Sequence, residues 1–147
     1  MLIYMIKADA AVSGVLRLGY ESLPWTVEKA LAGYKTLGFD IQKSKVDMVN
    51  SSVKYIGDVI DTDLSNVVDN GSLRAYDSIE SLSIADVICI CVPTPLNEHQ
   101  EPVIDYVKET TENILSIVNN DMLIILESFT CPGTREELWK PILESTG

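Results

Sequence analysis

Apolar residues fall in short blocks along this chain, separated by polar and amphipathic stretches. The block at residues 10–16 is followed by Arg17-Leu18-Gly19-Tyr20-Glu21-Ser22 and then by helically spaced apolar positions over 23–31. That order predicts a strand, a tight turn and a helix. Gly33 stands where a helix C′ glycine belongs, and residues 35–39 form the second strand. A second helix is predicted over 42–50, apolar at Val46 and Val49. Residues 55–71 read as an irregular piece plus a short helix, capped by Thr62, striped by Leu64, Val67 and Val68 and ended by Asn70-Gly71. A third strand at 73–76 and a turn or two of helix at 78–85 lead into Asp86-Val87-Ile88-Cys89-Ile90-Cys91-Val92. Such an unbroken apolar run fits a central parallel strand covered on both faces. Pro93-Thr94-Pro95 stops it. A long helix over 104–118 follows, apolar at Val107, Ile114, Leu115 and Val118, then a buried strand at 122–126. Pro132-Gly133-Thr134 opens a last helix through Leu143.

Strands alternating with helices define an α/β domain with a mostly parallel sheet and right-handed crossovers. Ligands of such sheets bind beyond the carboxyl ends of the strands. Here those ends carry residues 17–22, Asp40, 93–95 and 127–130, so four polar loops converge on one crevice. The first strand, turn and helix match the opening of a dinucleotide-binding βαβ unit, whose fingerprint places glycines at its first, third and sixth positions. Arg17, Gly19 and Ser22 occupy them, leaving only the middle glycine. Asp40 ends the second strand 21 residues after Gly19, where a carboxylate that accepts the adenosine ribose hydroxyls belongs.

A chain of 147 residues makes one domain with a sizeable core, and 46% hydrophobic with 22% charged residues is ordinary for a globular protein. No apolar run approaches a membrane span, and the first residues lack a signal peptide's cationic lead and cleavage site, so a cytoplasmic protein is expected. A formal net charge of -11 argues against nucleic acid and anionic membranes as partners. It also forces any phosphate site to rely on local backbone N–H groups. Cys89, Cys91 and Cys131 form no disulfide framework, and Cys89 and Cys91 are spaced too closely for a zinc pair, which makes them small core residues and predicts no metal. His99 reads as a surface residue and Trp25 as a packing residue.

Cys91-Val92-Pro93-Thr94-Pro95-Leu96-Asn97-Glu98-His99-Gln100-Glu101-Pro102, followed by Asp105-Tyr106-Val107, resembles a segment of the UDP-glucose/GDP-mannose dehydrogenase family, and most of all its UDP-N-acetylglucosamine 6-dehydrogenase branch. Leu18-Gly19-Tyr20 with Leu23-Pro24, Gly38-Phe39-Asp40-Ile41, Gly71-Ser72-Leu73-Arg74-Ala75 and Glu127-Ser128 with Pro132-Gly133-Thr134 fit the same template. The resemblance runs from about residue 12 to 147, and residues 1–9 are atypical. It implies a Rossmann-like NAD-binding domain, ending before the last strand of the family's domain, from enzymes that oxidise a nucleotide sugar's C6 hydroxyl with two NAD. By resemblance Leu18, Gly19 and Tyr20 form the cofactor's turn, Asp40 holds the adenosine ribose and Lys45 lies near it. Val92, Pro93 and Thr94 line the nicotinamide side, Ser128 contacts the cofactor, and Glu127 takes part in the chemistry. The family's nucleophilic cysteine and its lysine and asparagine partners lie downstream of the stretch represented here, and Cys131 inherits no catalytic role.

The turn departs from that template. Arg17 puts a Cβ where the backbone must be tight, and Glu21 brings a carboxylate to the pyrophosphate position. A like-charge contact near 4 Å costs about 4 kcal/mol at an effective dielectric of 20, before solvent and salt reduce it. Arg17 and Glu21 lie on one turn and are expected to pair, the arginine filling the phosphate site. NAD binding is then weak or lost. Two further readings follow from the sequence: an interaction module that self-associates through an exposed sheet edge, and an NAD-binding subunit completed by a separate sugar-binding chain.

Overall fold

The structure is a computed structural model that describes residues 10–100, 102–128 and 130–145; the atypical segment 1–9 lies outside them. Five strands, β1 (Val12–Leu16), β2 (Lys35–Phe39), β3 (Leu73–Tyr76), β4 (Val87–Ile90) and β5 (Leu123–Leu126), form one parallel sheet in the order β3-β2-β1-β4-β5. The order reverses at β1, which pairs with β2 on one side and β4 on the other. Loops leaving β1 and β4 therefore diverge to opposite faces and open a crevice at their carboxyl ends.

Helices α1 (Ser22–Leu31), α2 (Lys43–Asn50) and α3 (Asp61–Asp69) cover one face through a core that includes Leu18, Leu23, Val27, Val49, Leu64 and Val67. The opposite face carries a 3₁₀ turn (Ile79–Leu82) and α4 (Asp105–Ile114), packed around Leu16, Phe39, Ile88, Ile90, Val107 and Ile114. The chain then passes through a π turn (Arg135–Trp139) into α5 (Lys140–Glu144).

Several boundaries differ from the sequence expectation, each for a local reason. Helix α3 begins after Ile60 with no side-chain cap, so Thr62 lies inside the first turn; Asp61 and Asp63 there favour the positive end of the helix dipole instead. Helix α4 stops at Ile114, and its buried face is Val107, Thr110, Thr111 and Ile114 rather than one reaching Leu115 and Val118. Thr111 belongs inside because its hydroxyl donates to the Val107 carbonyl at 2.6 Å. The final helix is not continuous from Thr134: Pro141 has no N–H to donate to the Glu137 carbonyl, and the chain widens to a π turn just before it. The expected buried strand at 122–126 is an edge strand, half-exposed along its length, with Leu123 40% exposed. Apolar composition alone does not distinguish an edge from a centre.

Candidate cofactor site at the strand ends

Beyond the carboxyl ends of β1, β2, β4 and β5 lies a cleft of about 580 Å³. Its lining includes Gly19, Asp40, Thr94 and Glu127, the four loop positions expected to converge, together with Tyr20, Lys45, Val92, Pro93 and Ser128. Leu18 stands apart from these, being fully buried behind the turn.

The turn is held from several directions. Arg17 leaves β1 with φ of +72°, the left-handed region where glycine is at ease and a side chain is strained by about 1 kcal/mol. Its N–H still reaches the Phe39 carbonyl at 2.7 Å, extending the β1–β2 ladder by one bond. Leu18 packs over Gly38: a Cβ added at Gly38 would meet Leu18 Cδ2 at 2.9 Å. The missing Cβ at position 38 thus makes room for the side chain that anchors the turn. The N–H of Leu18 donates to Asp40 Oδ2 at 2.9 Å, and its carbonyl accepts from the Tyr55 hydroxyl at 2.8 Å.

Ser22, in the place of the third glycine, turns inward and is 4% exposed. Its Oγ accepts the Gly19 N–H at 2.7 Å and donates to the Arg17 carbonyl at 2.6 Å. One N–H of the phosphate turn is therefore consumed inside the protein. Among the described residues the N–H groups of Tyr20, Glu21 and Ser22 have no protein partner, so an anion cradle persists at the start of α1. The expected Arg17–Glu21 ion pair is not formed among the described residues. With φ positive, Arg17 is carried to the boundary between this cleft and a second hollow lined by Phe39, Ile41 and Thr110, and it lines both. Glu21 remains in the cleft with no ion-pair partner among the described residues.

Asp40 is neither a solvated turn residue nor a freely presented carboxylate. It is 2% exposed, and Oδ1 accepts the Gln42 N–H at 2.9 Å while Oδ2 accepts that of Leu18. Lys45 Nζ lies 3.7 Å from Oδ2. On the opposite wall Val92 is 5% exposed, and its N–H and carbonyl are both engaged by the Ser128 hydroxyl, at 3.1 and 2.9 Å. Ser128 thereby ties the loop after β5 to that after β4, bringing the exposed Glu127 beside Thr94.

Cys89 is a core residue as expected, but Cys91 is half-buried and lines the cleft. Burial pushes the Cys91 thiol up to about 12, with Cys89 and Glu127 adding in the same direction. Neither His, Cys, Asp nor Glu residues gather into a metal-binding group among the described residues. His99 is exposed, its backbone N–H held by Asn97, and no described helix is long and apolar enough to cross a membrane. Tyr55 was not foreseen as part of the site. It sits in an irregular segment without a motif, and only the tertiary position of that segment under the turn reveals it.

The chain matches the family model "UDP-glucose/GDP-mannose dehydrogenase family, NAD binding domain" over residues 12–147. It is 34% identical over 134 residues to UDP-N-acetyl-D-mannosamine dehydrogenase of Pyrococcus horikoshii, covering 90% of this chain and 32% of that protein. It is 29% identical over 132 residues to UDP-N-acetyl-D-glucosamine 6-dehydrogenase of Pseudomonas aeruginosa, covering 88% of this chain and 30% of the other. The chain thus spans about a third of the length of the curated relatives it matches. The solved structure of UDP-D-ManNAc dehydrogenase from Pyrococcus horikoshii superposes with a TM-score of 0.84 at 32% identity, over 92% of this chain and 32% of that one. A GDP-mannose dehydrogenase ternary complex from Pseudomonas aeruginosa shares the fold, with a TM-score of 0.83 at 20% identity over 91% of this chain and 32% of that one. With its 3-2-1-4-5 parallel sheet and a cleft at the strand order's reversal, this chain belongs to the UDP-glucose/GDP-mannose dehydrogenase family as its NAD-binding domain.

Proposed function

We propose that the cleft takes NAD weakly, as the cofactor half of a nucleotide-sugar dehydrogenase of the UDP-N-acetylhexosamine type. Asp40 and Lys45 receive the adenosine ribose, residues 19–22 face the pyrophosphate, and Val92, Pro93, Thr94 and Ser128 flank the nicotinamide. The hollow beyond Arg17, with Phe39, Ile41 and Thr110, receives the adenine. NAD bound there supplies a hydride acceptor, and the Glu127 carboxylate stands at the reacting end to handle a proton.

One observation carries the weakness: the Gly19 N–H is spent on Ser22 Oγ while Glu21 stays in the cleft with no ion-pair partner among the described residues. Three carboxylates (Glu21, Asp40, Glu127) against two cations (Arg17, Lys45) leave the lining acidic. Glu21 is exposed, so its repulsion of a phosphate is nearer the aqueous limit of about 1 kcal/mol than the buried one. Together with the lost donor, at about 1 kcal/mol, this weakens binding roughly thirtyfold. Titration of NAD and NADH by calorimetry is expected to give dissociation constants above about 0.1 mM. The variant Arg17→Gly/Glu21→Val/Ser22→Gly is expected to bind at least tenfold tighter. Low-micromolar binding by the native turn, or no gain in the variant, overturns the proposal.

Oxidation of a UDP-sugar is proposed to need groups beyond these residues, because the one thiol lining the cleft among the described residues, Cys91, is raised by burial away from the reactive thiolate. An NADH-absorbance assay with UDP-sugars is expected to stay at baseline for the 147-residue chain. A second reading is favoured by β5, half-exposed and, among the described residues, hydrogen-bonded in the sheet only to β4. This edge can pair with a second copy or with a sugar-binding chain, and light scattering with and without such a chain discriminates the two.

A further inference from the structure

Outside the cleft, one cluster of reactive side chains has no part in cofactor binding. Lys29 lies in the last turn of α1, where a lysine ordinarily reaches toward solvent or the helix's own terminal carbonyls. Instead it is folded onto the sheet. Its Nζ lies 3.1 Å from Cys89 Sγ, 3.2 Å from Ser13 Oγ and 3.7 Å above the centre of the Trp25 ring. Ser13 and Cys89 project from the same face because β1 and β4 pair Ser13 with Val87 and Val15 with Cys89. The amine is thus held against the sulfur by a hydroxyl on one side and an aromatic face on the other. A small apolar hollow of about 210 Å³, lined by Ser13, Lys29, Val87 and Ile125, brings a small oxidant as far as Lys29, with Cys89 Sγ buried 3.1 Å behind its amine.

We propose that Lys29 and Cys89 are a redox modification site, at which dioxygen joins the lysine nitrogen to the cysteine sulfur through one oxygen atom. The amine and thiol react with one O₂ to give N–O–S and one water. An N–H and the S–H are lost, N–O and O–S bonds form, and nitrogen and sulfur together surrender the four electrons that reduce O₂. Two dithiol molecules, each closing to its disulfide, return four electrons and regenerate amine, thiol and a second water. Heavy-atom separation near 3 Å is short enough for a single oxygen to be inserted with only side-chain rotation. The bond straps α1, which follows the phosphate turn, to β4, which runs directly into Cys91 and Val92 of the same cleft. Oxidation therefore fixes the two walls of the cofactor site relative to each other.

Burial raises the Cys89 thiol, opposed in part by Lys29, so alkaline buffer increases the reactive fraction. The full chain is to be held in oxygen-saturated buffer at about pH 8.5 and analysed by intact mass and peptide mapping. Expected is a gain of about 14 Da, one oxygen added and two hydrogens lost, in a cross-linked pair of peptides carrying Lys29 and Cys89. Dithiol treatment should remove it, and Lys29→Arg and Cys89→Ser should never acquire it. Should either variant fail to fold, the map of the native chain decides alone. Overturning results are Cys89 carrying only sulfenic or sulfinic acid with Lys29 free, or Cys89 unmodified when Cys131 has been oxidised.

Discussion

The hydroxyl of Tyr55 donates to the carbonyl of Leu18 at 2.8 Å, and so fixes the peptide that leads into the phosphate turn. Asp40 holds the other polar group of the same residue, so Leu18 is gripped at N–H, carbonyl and side chain at once. Nearby Tyr20, on the turn itself, faces the Asp58 carboxylate, which raises the pKa of the Tyr20 hydroxyl. The loop between α2 and α3 thus touches the turn on both sides of Gly19.

Removing the Tyr55 hydroxyl in Tyr55→Phe leaves the Leu18 carbonyl without its donor, a loss of about 1–2 kcal/mol by denaturant unfolding. Burial, followed by the Asp40 charge, raises the Tyr55 pKa above the ordinary tyrosine value. A folded-state pKa above the unfolded one makes a contribution that is complete below about pH 10 and declines as pH rises beyond it. Unfolding free energies of the native protein are therefore expected to fall above about pH 10 more steeply than those of Tyr55→Phe.

Position 38 tolerates no side chain. Gly38→Ala brings a Cβ within 3.0 Å of both Leu18 methyls, and Leu18 is fully buried with no room to swing aside. Overpacking of about 1–3 kcal/mol is expected, with a weaker cofactor titration because the turn is displaced. Gly57→Ala is the control: nothing lies within 4 Å of its added Cβ, and unfolding free energy should change by less than about 1 kcal/mol.

Arg17 supplies a test of backbone strain that is separate from charge. Its φ of +72° is relieved in Arg17→Gly and retained in Arg17→Ala. The glycine variant is expected to be the more stable of the two by about 1 kcal/mol, the reverse of the usual order for these residues. An alanine variant as stable as the glycine one would show that position 17 carries no such strain.

Asp40→Asn retains volume but turns an amide toward one of two backbone N–H groups. A loss of about 2–3 kcal/mol in unfolding free energy is expected, since hydrogen bonds to a charged acceptor are the stronger ones. Double-mutant cycles with Lys45→Met should return no more than about 1 kcal/mol of coupling, because the amine is 3.7 Å away and 30% exposed.

Much of this architecture was legible in the chain itself. The apolar blocks located all five strands to within two residues, and Gly33 and Gly71, both at positive φ, marked the chain reversals. Asp40, Thr94 and Glu127 could be assigned to one cleft because parallel α/β topology brings strand ends together whatever the intervening sequence. Less legible were features settled by neighbours distant in sequence. Leu126 and Ile90 look alike as residues, yet among the described residues Leu126 has a strand on one side only. Arg17 and Glu21 are close enough in sequence to pair, but the left-handed backbone at Arg17 sends its side chain elsewhere. Tyr55 carries no signal at all until the loop below the turn is in place.

The central position of β1 has a consequence for assembly. Ser13 is registered against Thr36 on one flank and Val87 on the other, and Asp86 reaches across 74 positions to accept the Val12 N–H. On a ribosome, β1, β2 and β3 with α1, α2 and α3 can gather as soon as they emerge, leaving one side of the first strand bare. The later half then docks on that waiting flank, so the nucleotide cleft is completed by the pairing of β1 with β4, the longest-range strand pairing in the described sheet.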